Sequence, residues 1–234
     1  MSNKISASGA TTVAPIYPMP FVRIELVVLS IVDGRLSALL GKRTGEPHVG
    51  QWALPGGVLR IDRDRDLDDA AQRVAMERLG TKLPFLRQLT AVGSKDRDPR
   101  APWALSIAFR AMVPVESIAP AAGKRIEALQ WRIADEAATD KTLAFDHAAL
   151  IQTAVDATRR EIDELQLPFG FLPEQFTLGE LQSCCEALLG HRLDKSSFRR
   201  RLDDREVVEA IPGEMKTGAF RPAKLFRRRR DSSD

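Results

Sequence analysis

The stretch GGVLRIDRDRDLDDAAQRVAMERLG, residues 56–80, decides the fold of the first half of this chain. Apolar residues recur at helical spacing from Leu67 to Val74, with aspartates in the first turn and Gly80 just past the end. These are the start and stop signals of a helix with one buried face. The glycine pair at its beginning predicts a break in the preceding strand, so we expect a polar loop to lead into the helix.

Patterns typical of β-strands lie on both sides of this helix. The segment FVRIELVVLSIVDGRLSALLGKR, residues 21–43, predicts two strands around an Asp-Gly turn, which is a strong hairpin signal. A long amphipathic helix is predicted by AFDHAALIQTAVDATRREIDEL, residues 144–165. The other predicted strands are QWALPGG (51–57, breaking at Pro55-Gly56-Gly57), FLRQLTAVGS (85–94), WALSIAFRAMVPV (103–115) and IEALQWRI (126–133). Strands first, with one helix in the middle and one at the end, favour an α+β sandwich.

A second unit follows residues 165–175, where two prolines and a glycine in LQLPFGFLPEQ interrupt the helical pattern and predict a linker. Beyond it, FTLGELQSCCEALLG predicts a helix with Thr177 as N-cap and Glu180 completing a capping box. LDKSSFRRRLDD predicts a shorter basic helix beginning at Asp194 or Lys195, and VVEAIPGEMKTGAFRPAKLFR predicts two strands around a basic loop. Helix, turn, basic helix and hairpin make up the plan of a winged helix.

The composition is that of an ordinary soluble globular protein of 234 residues, with 44% hydrophobic and 29% charged residues. The net charge is only +3, but basic residues are concentrated after Gly190 and end in an arginine run at 227–230, which favours a polyanionic partner. Cys184 and Cys185 lie in an apolar helical pattern, which indicates core residues in a reducing compartment. No apolar run is long enough to cross a bilayer, and residues 1–20 predict a flexible arm without a signal layout. We therefore expect a cytoplasmic protein with no membrane partner.

Residues 56–80 resemble the Nudix box of the Nudix hydrolases, which cleave nucleoside diphosphates linked to another group. The box places three acids at i, i+3 and i+4 on one helix face, where they hold Mg²⁺ or Mn²⁺. Aligned on its arginine and final glycine, the box has at these positions Val74, Glu77 and Arg78, and Arg63 stands in place of an upstream glutamate. A single carboxylate beside a cation is a poor Mg²⁺ site. The resemblance thus implies a helix derived from a catalytic one, with no catalytic residue, no metal and no other cofactor.

Loss of the metal set does not remove the pocket. Arg78 can take over the electrostatic role of the ion, since a guanidinium makes bidentate contacts with phosphate. The candidates for effector binding are Arg43, Trp52, Arg60, Glu77, Arg78 and Lys95. Each has a plainer alternative, an exposed charge or, for Trp52, a core aromatic. Arg73 is expected to orient the loop through an ion pair, and His147, following Asp146 as N-cap, to be a structural residue.

The segments LPFGFLPEQFTLGELQSCCEALLGHRLDKSSFRRRL and GAFRPAKLFR resemble, nearly end to end, the C-terminal domain of the Nudix-related transcriptional regulators of NAD metabolism. KDRDPRAPWALSIAF and LAFDHAALI are similar to segments of their first domain, so the resemblance covers almost everything after the arm. It implies an N-terminal Nudix α/β/α sandwich over 21–164, a linker over 165–175 and a C-terminal winged helix-turn-helix domain over 176–234.

The second unit has the side chains of a DNA-reading surface. A recognition helix presents small polar and basic side chains to a groove, while Phe198 and Leu202, spaced i and i+4, should face the core. The wing is suited to phosphates or the minor groove. The DNA-binding candidates are Lys195, Ser196, Ser197, Arg199 and Arg200 on the helix, and Lys216, Thr217, Arg221 and Lys224 on the wing. The arginine run at 227–230 would add a non-specific, salt-sensitive term.

The hypothesis is a DNA-binding transcriptional regulator, a repressor, whose Nudix-like domain senses a nucleotide without hydrolysing it. The resemblance implies ADP-ribose or a related NAD metabolite as effector, genes of NAD metabolism as targets, and a homodimer on a palindromic double-stranded DNA operator. The effector must favour one arrangement of the two domains, with the change expected at 165–175. Two alternatives stay open: an active Nudix pyrophosphatase that uses Glu77 with the loop aspartates, and a regulator of the same build for another pathway, such as sugar metabolism.

Overall fold

The computed structural model describes residues 19–118, 125–217 and 222–229. Most of the predicted arm, together with Arg221 and Arg230, lies outside these ranges. The strands of the first half are β1 (Phe21–Val32), β2 (Arg35–Arg43), β3 (Trp52–Ala53), β4 (Gly56–Val58), β5 (Arg87–Ser94), β6 (Ala104–Met112) and β7 (Ile126–Ile133). Its helices are α1 (Leu67–Leu79), α2 (Ala134–Thr139) and α3 (His147–Asp163), of which the short α2 was not predicted from the sequence.

These strands form one mixed sheet around β1. β1 pairs in antiparallel fashion with β2 and β4 and in parallel fashion with β6, while β5 lies beyond β6 at the edge. The β1–β2 hairpin turns at Asp33 and Gly34, whose φ angles of 49° and 73° are the left-handed pair that an Asp-Gly turn supplies. The parallel pairing of β1 and β6 explains why the chain between them is long enough to include α1.

The predicted strand breaks at Leu54 and Pro55, between β3 and β4, but the glycine pair expected within the break belongs to β4. Gly56 pairs with Glu25 and Gly57 with Ile24 of β1, and Val74 of α1 packs against Gly57. A Cβ on Gly56 would come within 1.8 Å of a Glu25 carboxylate oxygen, and one on Gly57 within 2.8 Å of Val74. Glycine is therefore required here for close packing.

Helices cover both faces of the sheet, which confirms the predicted sandwich. Alternate residues of β1 point to opposite faces. Ile24, Leu26 and Val28 pack in a core with α1, whereas Val27 and Leu29 pack in a second core with α2 and α3. Asp66 caps α1 by accepting from the backbone N–H of Asp69, and Gly80 ends it in a left-handed conformation.

The second half has the predicted winged-helix elements, α4 (Leu178–Leu189), α5 (Lys195–Arg205), β8 (Val208–Lys216) and β9 (Ala223–Arg228). Thr177 and Glu180 form the expected capping box at the start of α4. Leu181 and Phe198 belong to the same buried cluster as Leu150 of α3, so one apolar core runs from the sheet into the winged helix. The predicted linker takes part in it, because Leu167, Phe169 and Leu172 pack against this cluster.

Cys184 and Cys185 are buried in α4 as free thiols, as expected for core residues. Burial raises the pKa of Cys184 to about 11. Burial also raises the pKa of Cys185 to about 12, with smaller contributions from the charges of Cys184 and Glu186. Among the described residues, none of the helices has the length and apolar character that a membrane span requires.

Candidate functional site

Arginine side chains line a cleft between β1, the end of β2, β4 and the last turn of α1. They come from five separate segments of the chain: Arg23, Arg43, Arg78, Arg100 and Arg125. Glu46 is the one acid among the described residues that line this cleft. Arginine stays protonated at neutral pH, and its planar guanidinium matches the oxygens of phosphate. The cleft therefore has the chemistry of a site for a polyphosphate or another polyanion.

Backbone carbonyls hold two of these arginines at the wall of the cleft. Arg78 Nε donates to the carbonyl of Gly56 at 2.7 Å, and Arg43 Nε donates to the carbonyl of Pro47 at 2.9 Å. Burial lowers the pKa of Arg43 and of Arg78, and neighbouring arginines lower both further. The cleft thus concentrates positive charge, which favours an anionic ligand.

A buried chain of polar groups orients Arg23. Its Nε donates to Glu25 Oε1 at 2.7 Å, and the two side chains are 8% and 1% exposed. Burial alone would raise the pKa of Glu25, but the charge and hydrogen bond of Arg23, with the nearby His147, outweigh it and lower that pKa to about 2. Since the carboxylate is ionised, it fixes Arg23 as a cation at the cleft.

His147 lies behind this pair, at the first turn of α3. Its Nδ1 accepts from the backbone N–H of Leu54 at 2.9 Å, so the neutral ring has its proton on Nε2, which faces Glu25 Oε2 at 3.8 Å. Burial lowers the pKa of His147, and the nearby Glu25 offsets this only in part. His147 thus joins β3–β4 to α3, which fits the structural role expected of it.

Phe145, just before α3, packs against two of the cleft arginines. The guanidinium carbons of Arg43 and Arg23 lie 5.1 and 5.6 Å from its ring centroid, and the His48 ring meets it edge-on at 4.6 Å. An aromatic face attracts cations, so the ring stabilises two arginines that would otherwise repel each other.

The residues at the positions of the Nudix box differ in burial and in their partners. Val74 of α1 is fully buried in the core between this helix and the sheet. Glu77 lies 3.4 Å from Arg73 and 4.0 Å from Arg60. Arg73 also makes the expected ion pair with the loop, to Asp64 at 2.6 Å, and Asp66 is occupied as the helix cap. Across residues 19–118, 125–217 and 222–229, no three His, Cys, Asp or Glu side chains are grouped so that they could hold a metal ion.

The winged helix presents a polar outer surface. The five candidates on α5 are all exposed: Lys195, Ser196, Ser197, Arg199 and Arg200. Phe198 and Leu202 are buried, so the helix has the predicted inner and outer faces. On the wing, Lys216, Thr217 and Lys224 are all exposed, and Lys216 also forms an ion pair with Glu180 of the α4 capping box. Arg221 lies outside the described residues.

Comparison with known proteins accounts for both halves. The family model of the Nudix domain matches residues 23–154, and the model of the NrtR DNA-binding winged helix domain matches residues 168–228. Over 211 residues the chain is 34% identical to the ADPR responsive transcriptional repressor NtrR of Acinetobacter baylyi, covering 90% of this chain and 83% of that protein. The chain belongs to the NrtR family.

Solved NrtR structures share this architecture. NrtR of Shewanella oneidensis complexed with a 27mer DNA has a TM-score of 0.71 at 29% identity, covering 89% of this chain and 93% of that one. The Nudix domain of the same NrtR complexed with ADP ribose has a TM-score of 0.55 at 26% identity, covering 60% of this chain and 90% of that one. Both halves of the predicted fold, Nudix sandwich and winged helix, are thereby confirmed.

Within this NrtR-family cleft, sequence reasoning located two of the arginines, Arg43 and Arg78. The other four effector-binding candidates are not among the described residues that line it: Trp52, Arg60, Glu77 and Lys95. Trp52 packs against the core and beneath Arg132, whose guanidinium lies 4.8 Å from its ring, while Arg60 and Lys95 are exposed.

Sequence reasoning missed Arg23, Arg100 and Arg125. A signal for the first was present, because Arg23 and Glu25 occupy alternate positions of the apolar strand FVRIELVV and must share one face. Two charges on a face that is otherwise buried indicate an internal ion pair at a functional position. Arg100 and Arg125 lie in loops, where no periodic pattern marks them.

Proposed function

We propose that this protein is a transcriptional repressor of genes of NAD metabolism and that its Nudix domain binds ADP-ribose or a related nucleotide as effector. Binding of the effector releases the repressor from its operator. The observation that carries the proposal is the arginine-lined cleft beside the altered Nudix box, in the same chain as an exposed basic recognition helix.

The cleft suits the diphosphate of such an effector. Five guanidinium groups line the cleft, and Arg23 and Arg100 among them are also paired with Glu25 and Asp98. A diphosphate offers the negative charge and the oxygens that guanidinium groups bind, which a neutral sugar does not. The Acinetobacter baylyi relative is an ADPR responsive repressor, and the Shewanella oneidensis Nudix domain was solved with ADP ribose, so ADP-ribose is the first ligand to test.

We propose that the cleft binds without hydrolysing. In a Nudix enzyme the metal neutralises the pyrophosphate and activates a water. Here Arg78 supplies positive charge at the box, Val74 is buried, and Glu77 is engaged with two arginines. A fixed guanidinium stabilises the bound diphosphate but generates no hydroxide, so binding is expected to need no divalent cation.

The DNA-binding surface in this proposal is the exposed face of α5 together with the wing. Lys195, Arg199 and Arg200 are placed to contact phosphates and base edges of a major groove. We propose a homodimer on a palindromic operator, since two copies related by a twofold axis read two half-sites. A regulator of this kind works where the chromosome is, which in a bacterium is the cytoplasm.

The test measures anisotropy of labelled DNA from upstream of its own and neighbouring genes, with and without ADP-ribose, in EDTA and in Mg²⁺. We expect sequence-specific binding that ADP-ribose weakens equally in both buffers, with ADP-ribose recovered intact by chromatography. ADP and UDP-glucose serve as comparison ligands.

Three results would contradict parts of the proposal. Metal-dependent turnover of ADP-ribose would make the protein a hydrolase. Specific DNA binding that responds to a sugar nucleotide and not to ADP-ribose would assign another pathway. Binding without sequence preference, lost as salt rises, would exclude a specific regulator.

A further inference from the structure

One basic residue of the recognition helix faces the protein and not the outer surface. Lys195, Ser196, Ser197, Arg199 and Arg200 are all exposed, but Arg201 is half-buried. Its guanidinium Nη2 donates to the backbone carbonyl of Asp163, the last residue of α3. This contact joins the winged helix to the Nudix sandwich outside their shared apolar core.

The carbonyl that Arg201 uses belongs to a helix end. The last carbonyls of an α-helix have no partner within the helix and attract cations through the helix dipole. Arg201 donates a hydrogen bond to one of these carbonyls and places a positive charge at the helix end. This contact fixes the orientation of α5 relative to α3.

The other end of α3 lies next to residues of the effector cleft, although it does not itself line the cleft. Phe145, just before the helix, contacts Arg23 and Arg43, Asp146 forms an ion pair with Arg97, and His147 accepts from Leu54. A ligand that draws the two cleft arginines towards its phosphates changes their contact with the Phe145 ring.

The two ends are joined by α3, which is one continuous helix. α3 has 17 residues, about 25 Å of helix. Arg110 of β6 donates to Thr158 at 2.9 Å and to Glu161 at 2.6 Å, which ties the C-terminal part of α3 to the sheet. The Asp163 carbonyl therefore moves with α3 and β6 as one body, and a shift of this body at the cleft reaches α5 through the Arg201 contact.

We propose that Arg201 is a positioning residue that docks the recognition helix on the end of α3 and makes DNA affinity responsive to the effector cleft. The inference rests on the proposed function for the identity of the effector. Arg201 acts here through α3 and makes no contact with DNA.

The experiment compares the full-length protein with Arg201→Ala, Arg201→Lys and Arg200→Ala. Operator affinity is measured over a series of salt concentrations, with and without saturating ADP-ribose. Two quantities result: the salt slope, which counts phosphate contacts, and the ratio of affinities without and with ADP-ribose, which measures coupling. ADP-ribose affinity in the absence of DNA and the thermal midpoint serve as controls for folding.

Arg201→Ala is expected to leave the salt slope unchanged and to lower the coupling ratio about fivefold or more. Arg200→Ala, the matched neighbour on the outer face, is expected to lower operator affinity and to reduce the magnitude of the salt slope by about one. The coupling ratio of this variant should equal that of the wild type. Arg201→Lys is expected to recover most of the coupling, because an ammonium can donate to the same carbonyl.

A wild-type coupling ratio in Arg201→Ala overturns the inference, and so does a slope that falls as in Arg200→Ala, since Arg201 would then be a phosphate contact. Failure of the wild-type protein to respond to ADP-ribose overturns the proposed effector instead. The salt slope then still decides the docking role, because lower affinity at an unchanged slope supports docking and a lower slope refutes it.

Discussion

Replacing Glu25 by glutamine tests whether a buried charge holds the arginine cleft together. The carboxylate is 1% exposed and accepts from Arg23 at 2.7 Å. Removing one partner of a buried ion pair leaves an uncompensated charge and costs about 3–5 kcal/mol. Independently, a pKa lowered from 4.5 to about 2 corresponds to roughly 3 kcal/mol of stabilisation at neutral pH. Both routes predict that Glu25→Gln loses about 3 kcal/mol in the free energy of unfolding.

The pH dependence has a definite sign. The folded protein holds the Glu25 proton less tightly than the unfolded chain does, so the stabilisation is fully present above pH 4.5 and is lost as the pH falls towards 2. The difference between wild type and Glu25→Gln should therefore shrink over this window.

Urea unfolding at pH 7 and at several values down to pH 3 measures this difference. The matched control is Glu127→Gln, which removes an exposed ion pair with Lys42 and should cost less than about 1 kcal/mol. A loss for Glu25→Gln no larger than that of the control, or one that does not change with pH, would refute the reasoning. A single transition is expected in each case, because one apolar core joins the two halves.

Three further predictions concern the cleft, the winged helix and the thiols. Arg78→Gln should weaken ADP-ribose binding about tenfold by calorimetry, whereas Lys95→Gln, outside the cleft lining, should change it less than about twofold; equal effects would count against the cleft. Phe198→Ala, which empties a position that is 3% exposed, should cost about 3–5 kcal/mol in urea unfolding and Phe198→Leu clearly less. Cys184 and Cys185 should react with a thiol reagent at pH 8 only after unfolding, since burial raises the pKa of both; fast labelling of the native protein would contradict their placement.

Under the proposed function, positive charge at the Nudix box would take the place of the metal ion of a Nudix enzyme. Glu77 and Asp64 are paired with Arg73, so a metal ion could bind them only in competition with this arginine. Positive charge at the cleft is supplied by side chains of the chain itself, among them Arg78. A ligand diphosphate would then be bound by groups that neither leave nor exchange, which favours recognition over turnover.

Much of the fold could be predicted from local pattern. The Asp-Gly turn, the helix between Asp66 and Gly80 and the capping box at Thr177 all depend on residues that are neighbours in sequence. Period-two and period-3.6 patterns indicate which face is buried, and the order of the elements indicates which layers they form.

Tertiary structure alone decided where the site lies. The cleft arginines come from β1, β2, α1 and two loops, so only the folded sheet brings Arg23 and Arg125 together. Tertiary structure also decided that Gly56 packs closely against the Glu25 side chain, because this contact depends on the register of β4 and β1. It likewise decided that Arg201 contacts the end of α3, whereas its neighbour Arg200 is exposed on the outer face. Local sequence encodes conformation through short-range sterics and hydrogen bonds, whereas the charge environment of a side chain depends on residues far apart in the chain.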